Sequence, residues 1–183
     1  MRCFRFLALL VGLSALVFLS SCDSKVEPDF LSTDITGASF GRDFKLSDHN
    51  GDLRSLADFR GKVVLLFFGY TNCPDICPSI MAKLAGAVKN LGKDSNHVQV
   101  LFISVDPEHD TPALLKQYVS TFNPNFLGLS GDLETTRNIA KEFKIAFQKQ
   151  AEATQDSYVM EHSAGTYILD QKGKLRLYVN TGT

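Results

Sequence analysis

Cys73 and Cys77, in Asn72-Cys73-Pro74-Asp75-Ile76-Cys77-Pro78, are the residues of this chain best equipped to do chemistry. A thiolate attacks disulfides and ligates soft metal ions, whereas a protonated thiol does neither well. The pair follows an apolar run, Val63 to Phe68, that breaks at Gly69, and it precedes a helical pattern. Each cysteine is followed by proline, which pushes the residue before it out of the α region. That predicts that neither cysteine lies inside a regular helix: Pro78 takes the first helical position and Cys77 the cap. Two sulfurs near the positive end of a helix dipole are then expected to have their thiol pKa lowered.

The elements that must position this pair are legible from periodicity. With 183 residues, 44% hydrophobic and 14 Phe, the chain has material for one globular core. Phe44, Leu46 and Leu53 flank Ser47-Asp48-His49-Asn50-Gly51, an Asn-Gly turn that predicts an opening β-hairpin with His49 solvated. Leu56 to Phe59 reads as a helical turn closed by Gly61. Val63–Phe68 is a strand apolar on both faces, hence central. A helix from Pro78 to Leu91 carries Ile80, Met81, Leu84, Ala87, Val88 and Leu91 at helical spacing and stops at Gly92. Val98 to Val105 is a second buried strand. Asp110-Thr111-Pro112 caps a helix to about Phe122, with Leu114, Leu115, Tyr118 and Val119 on one side. Phe126–Leu129 is a short strand, Asp132 to Phe143 a third helix, and Ala164–Leu169 with Leu175–Val179 a closing hairpin. Strand, helix, strand, helix, then hairpin is the α/β layout of a thioredoxin-like fold, a central mixed sheet with helices on both faces. Ligand chemistry in such sheets gathers at the carboxyl ends of the strands, where Cys73 and Cys77 fall.

In that layout His162, just before the last hairpin, faces the cysteine corner across the end of the sheet, and no proline stands there. His97 and His109 have no such placement, and Met160 reads as a packing residue. Three residues separate the cysteines, where thioredoxin-like oxidoreductases have two. In a regular helix residues four apart hold their Cβ atoms about 5–6 Å apart, beyond the roughly 3.5–4.5 Å of a disulfide. The two prolines argue against regular helix, so a Cys73–Cys77 disulfide and a shared metal ion both stay open. A structural zinc site wants four protein ligands, and no fourth cysteine or histidine is near. Asp110 reads as a helix cap, and Asp106 as a residue that helps dock a partner beside the loop.

The start of the chain is of another kind. Arg2 and Arg5 precede an apolar run, Phe6 to Leu19, too short for an ordinary membrane span and suited to a signal sequence. It ends in Leu19-Ser20-Ser21-Cys22, which resembles a bacterial lipobox. Residues 1–21 are therefore expected to be removed and Cys22 lipidated, with Asp23 pointing to retention in the inner membrane. Residues 22–37 form the lipidated N-terminus and polar tether, and 38–183 the folded domain. Of four cysteines, only Cys73 and Cys77 are then free to pair with each other in an exported, oxidising compartment. A net charge of −1 argues against nucleic acid as a partner.

Three motifs together carry a family resemblance: Gly69-Tyr70-Thr71-Asn72-Cys73-Pro74-Asp75-Ile76-Cys77-Pro78, then Ser104-Val105-Asp106-Pro107-Glu108-His109-Asp110-Thr111-Pro112, then His162 before a strand. From about residue 40 onward the chain resembles the Sco/SenC family of copper proteins. The resemblance implies a thioredoxin fold and one copper per chain, held by Cys73, Cys77 and His162. Two thiolates and an imidazole suit Cu(I), and an added weak ligand accommodates Cu(II). It also implies a role at the binuclear copper centre of cytochrome c oxidase subunit II. One reading is a metallochaperone that delivers copper or prepares that site; the other is a thiol-disulfide oxidoreductase that reduces its cysteines through Cys73 and Cys77. Implied partners are subunit II, another exported copper chaperone or thiol reductant, and the membrane through the lipid anchor, with the domain facing the periplasm or cell exterior. Asn72 stands where the family commonly has histidine, and the chain ends at Thr183 where family members usually continue into a closing helix.

Overall fold

The structure, a computed structural model, describes residues 30–151 and 158–180. The expected leader 1–21, Cys22 and the first part of the tether lie outside the described residues. Ten strands are present among those described: β1 (Thr33–Asp34), β2 (Leu46–Asp48), β3 (Leu53–Arg54), β4 (Val63–Gly69), β5 (Val98–Ser104), β6 (Leu127–Ser130), β7 (Phe147–Ala151), β8 (Tyr158–His162), β9 (Thr166–Leu169) and β10 (Leu175–Val179). The helices are α1 (Ile76–Asn90), α2 (Pro112–Phe122) and α3 (Leu133–Glu142), with 3-10 turns at Leu56–Phe59 and Gly92–His97. Among the described residues no helix is long and apolar enough to cross a membrane.

Eight strands form one mixed sheet in the order β1-β10-β9-β4-β5-β6-β2-β3. β4, β5 and β6 run parallel, and β9 lies antiparallel against the other side of β4. The expected hairpin β2–β3 pairs onto the far edge through β6. At the opposite edge Thr33 and Asp34, inside the segment read as tether, pair with Tyr178 and Leu177.

Alternation along β4 sorts the core into two layers. Phe67 points toward α1 and α2, its ring 6.0 Å from that of Phe102, which packs on Tyr118 of α2. Phe68 points the other way, 5.6 Å from Phe143 at the end of α3. Both β4 rings are fully buried, worth roughly 1.5–3 kcal/mol each relative to exposure. Helices therefore cover both faces, as the strand–helix order implied.

Several local expectations are corrected. Helix α1 begins at Ile76 with Asp75 as its cap, so Cys77 lies inside the first turn and not at the cap. Pro78 is tolerated there because the first N–H groups of a helix have no intrahelical partner to lose. Thr111, not Asp110, caps α2: its hydroxyl accepts the N–H of Leu114. Leu114 is exposed while Leu115 and Val119 fill the core, because a helix of 3.6 residues per turn cannot bury adjacent positions equally. His49 is half-buried rather than solvated, and its Nδ1 accepts the N–H of Gly128 at 3.1 Å.

Gly69 ends β4 at a crowded point of the core. A Cβ there would lie 2.9 Å from the rings of Phe67 and Phe102 and 3.1 Å from Cys77 Sγ. Neither ring has room to yield. Gly69→Ala is expected to destabilise the copper-free protein by about 1–3 kcal/mol, measured by chemical denaturation; an unchanged midpoint would mean that the corner is looser than this packing implies.

Candidate metal centre

The strand that carries the core also delivers the first sulfur. β4 ends at Gly69, buried Tyr70 follows, and the chain turns, with the Cys73 N–H donating to the Tyr70 carbonyl at 3.4 Å. A buried carboxylate pins this turn: Asp110 accepts from the Thr71 hydroxyl at 2.6 Å, the Thr71 N–H at 3.2 Å and the Ser104 hydroxyl at 2.6 Å. Two polar residues converging on one buried acid tie the cysteine turn to the end of β5. Burial, set against those hydrogen bonds, pushes the Asp110 carboxyl above its ordinary range. The neighbouring Asp106, expected to meet a partner, is buried: its N–H donates to Ser104 Oγ and its carboxylate accepts from Tyr158. It is therefore not free to dock anything.

Cys73 sits half-buried at the mouth and Cys77 is fully enclosed, and the two are not joined by a disulfide. The Cys77 N–H, one of the orphan donors of the first helical turn, points at Cys73 Sγ at 3.4 Å. The helix end thus meets the sulfur of Cys73. For Cys77 the expected lowering of pKa is overturned: burial pushes its thiol well above the ordinary range, with the neighbouring Cys73 adding to the effect. Desolvation of a thiolate outweighs a dipole whose usual worth is about 0.3–1 kcal/mol. Ionising Cys77 needs a cation beside it.

His162 arrives on an element that periodicity did not show. β7 and β8 form a separate two-stranded antiparallel ribbon, with Phe147 paired to His162 and Ala151 to Tyr158. The polar stretch before β8 hides the pattern, since a ribbon outside the main sheet needs no apolar alternation on both strands. Ser163 closes its base: the Ser163 N–H donates to Ala146 O at 3.0 Å and its hydroxyl accepts from Ala146 N–H at 3.2 Å. The His162 ring packs edge-on against Phe67 and Tyr70, at 6.1 and 5.9 Å between centroids. Its Nδ1–H donates to the Ser163 carbonyl at 3.1 Å, which leaves the Nε2 lone pair facing Cys77 Sγ at 3.4 Å. Burial holds the imidazole below its ordinary pKa, so the ring is neutral at pH 7 and ready to donate that lone pair.

The structure thus brings together all three residues singled out in the sequence: the two Sγ atoms and a ring nitrogen lie within 4.8 Å of one another. His49 and His97 stay apart from them. Two soft sulfurs and one imidazole, with no fourth cysteine, histidine or acid joining them among the described residues, fit a soft, low-coordinate ion such as Cu(I) better than a closed zinc site. A groove of about 720 Å³ opens beside the three donors, lined in part by Pro74, Ile76, Phe147, Val159 and Glu161. What sequence reading missed is the support: Thr71 and Asp110 both lie in the quoted motifs, yet their contact spans the space between two loops. Tyr70 and Tyr158 carried no signal beyond their size.

Comparison with known proteins agrees with this geometry. A SCO2-like protein of Rickettsia felis is 33% identical over 171 residues, covering 92% of this chain and 83% of its own length. Bradyrhizobium japonicum ScoI, solved with copper bound, superposes with a TM-score of 0.73 at 38% identity over 78% of this chain and 90% of that one. BsSco, described as a member of the Sco family of cytochrome c oxidase assembly proteins with a disulfide switch, superposes with a TM-score of 0.62 at 27% identity, covering 81% and 85%. The family model described as SCO1/SenC matches residues 32–183. By that match the chain belongs to the SCO1/SenC family, whose thioredoxin-like fold it has.

Proposed function

We propose that this chain is a copper-binding assembly protein: it holds one copper through Cys73, Cys77 and His162 and delivers it to, or prepares, the binuclear copper centre of cytochrome c oxidase subunit II. The observation that carries the reading is the convergence of two sulfurs and a correctly oriented Nε2 at a groove mouth. The copper-bound ScoI and the oxidase-assembly relative BsSco support it. Bound copper supplies the charge that lets a buried thiol ionise. The protein supplies a fixed imidazole, a shielded sulfur at Cys77 and a half-exposed sulfur at Cys73 through which the ion enters and leaves.

A second reading is favoured by that half-exposed Cys73 and by the disulfide switch of BsSco. The same dithiol, reduced, can pass two electrons to a disulfide in the target, becoming a Cys73–Cys77 disulfide itself. His162 has no task in that reaction, which is why the metal reading ranks first.

The reduced domain is expected to bind one copper per chain. Cys73→Ser or Cys77→Ser should abolish tight binding, because one thiolate and one imidazole are too few soft donors. His162→Ala should weaken binding and shift the copper absorption spectrum, and an unchanged spectrum would remove His162 from the site.

Oxidation of the copper-free domain should form the Cys73–Cys77 disulfide and stop copper uptake, since the thiolates are consumed. Mass spectrometry with and without alkylation, alongside copper titration, checks this. Equal uptake by oxidised and reduced protein would refute two-thiolate ligation.

The copper domain is further proposed to be held at the inner membrane by lipid on Cys22. Cys22→Ser should leave copper binding intact and release the protein from membranes without detergent. A variant still firmly membrane-bound would point to an uncleaved anchor.

A further inference from the structure

Tyr158 stands at the end of β8 opposite His162, about 13 Å away along an extended strand. Alternation puts Tyr158, Met160 and His162 on the face turned toward the domain and Val159 and Glu161 on the other, consistent with buried Met160 and exposed Glu161. The ribbon shares no ladder with the eight-stranded sheet. Side chains must therefore fix where it stands. At its middle the Tyr70 hydroxyl meets the Met160 backbone. At its far end the Tyr158 hydroxyl donates to Asp106 Oδ2 and lies 2.7 Å from His109 Nδ1. Tyrosine has one proton to give, and Asp106 takes it, so the second bond runs from a protonated His109 Nδ1 to the phenol oxygen. The neutral Nδ1–H tautomer and the imidazolium both fill that role. Lys149 of β7 adds two contacts, with its amino group 4.1 Å above the Tyr158 ring and 3.8 Å from Glu108.

The clamp is rooted in the support of the cysteine turn. Asp106 donates its N–H to Ser104 Oγ, and Ser104 donates to Asp110, the carboxylate that also holds Thr71. One hydrogen-bonded chain thus runs from the turn before Cys73, past the end of β5, to the strand that carries His162. At the His162 end, among the described residues, the ring's polar contacts are only Cys77 and the adjacent Ser163 carbonyl.

We infer that Tyr158 is a positioning residue of the metal centre: clamped between Asp106 and His109, it fixes β8 so that His162 Nε2 stays against Cys77. The inference rests on the copper reading, and it adds a residue far from the metal that sets whether the third ligand is in place. With the clamp closed the site has three donors; with it open the site falls to two sulfurs and holds its ion less well.

Tyr158→Phe removes the hydroxyl alone and keeps the ring under Lys149. Copper transfer from the reduced protein to an excess of a Cu(I) chelator is expected to speed up by up to about tenfold, the low end of what a metal site loses when even a direct outer partner of a ligand is removed. The same substitution made in His162→Ala should change nothing further. Equal acceleration in both backgrounds would mean a general structural role, and release at the wild-type rate would remove the clamp; either overturns the inference. His109→Ala, which breaks only the outer bond, should give a smaller change in the same direction. Amide hydrogen exchange of the copper-free protein supplies a reading that needs no metal. Faster exchange at Val159 to His162 with unchanged protection in β4 is expected for Tyr158→Phe, and unchanged exchange at the ribbon overturns the clamp. A wild-type chain that takes up no copper would sink the copper reading, and the exchange result would still decide the ribbon.

Discussion

The contact between Cys77 Sγ and His162 Nε2, 3.4 Å across the end of the sheet, is the constraint on which the architecture turns. The two atoms are 85 residues apart in the chain, and neither element alone can place them. On one side, β4 must end at a glycine, because a Cβ there would crowd the Phe67 and Phe102 rings and the Cys77 sulfur. On the other, a ribbon outside the sheet must return from α3 and hold its last residue over Phe67 and Tyr70. The core below exists in any such fold. This corner is what makes it a metal centre, because it places an imidazole lone pair beside a thiol that cannot ionise alone.

That thiol shows a competition the sequence could not weigh. Proximity to a helix N-terminus favours thiolate, and the cysteine-proline spacing makes the helix end easy to find. Enclosure against Gly69 and two phenyl rings disfavours it, and enclosure is a property of the assembled core. Enclosure wins. In a site built in this way, ionisation of the buried sulfur is coupled to arrival of a cation.

How much was legible follows the same division between local and assembled features. Strands β4 and β5 announce themselves as continuous apolar runs, and α2 through its Thr111-Pro112 start, because these signals are local. The proposed ligands Cys73, Cys77 and His162 stand out by residue type and by their place in an inferred layout. The ribbon β7–β8 stays hidden, since its strands are polar and pair only with each other. Asp110 reads as a cap because its sequence neighbours are helical, while its partners Thr71 and Ser104 come from the cysteine turn and the end of β5. Giving Pro78 the first helical position sets the start of α1 too late, since the first turn has room for a proline further in.

The unequal exposure of the two sulfurs gives the centre a direction. Cys77 is fully buried with His162 against its sulfur, while Cys73 lines the groove. A donor or acceptor approaching from solvent meets Cys73 first, so the proposed ligand exchange would be an ordered relay in which one sulfur is the hand that reaches and the other the grip that stays. An incoming disulfide would meet the same order, with Cys73 placed to attack it and Cys77 behind to resolve the mixed disulfide. On the proposed readings, metal exchange and thiol exchange would both enter from this one side of the fold.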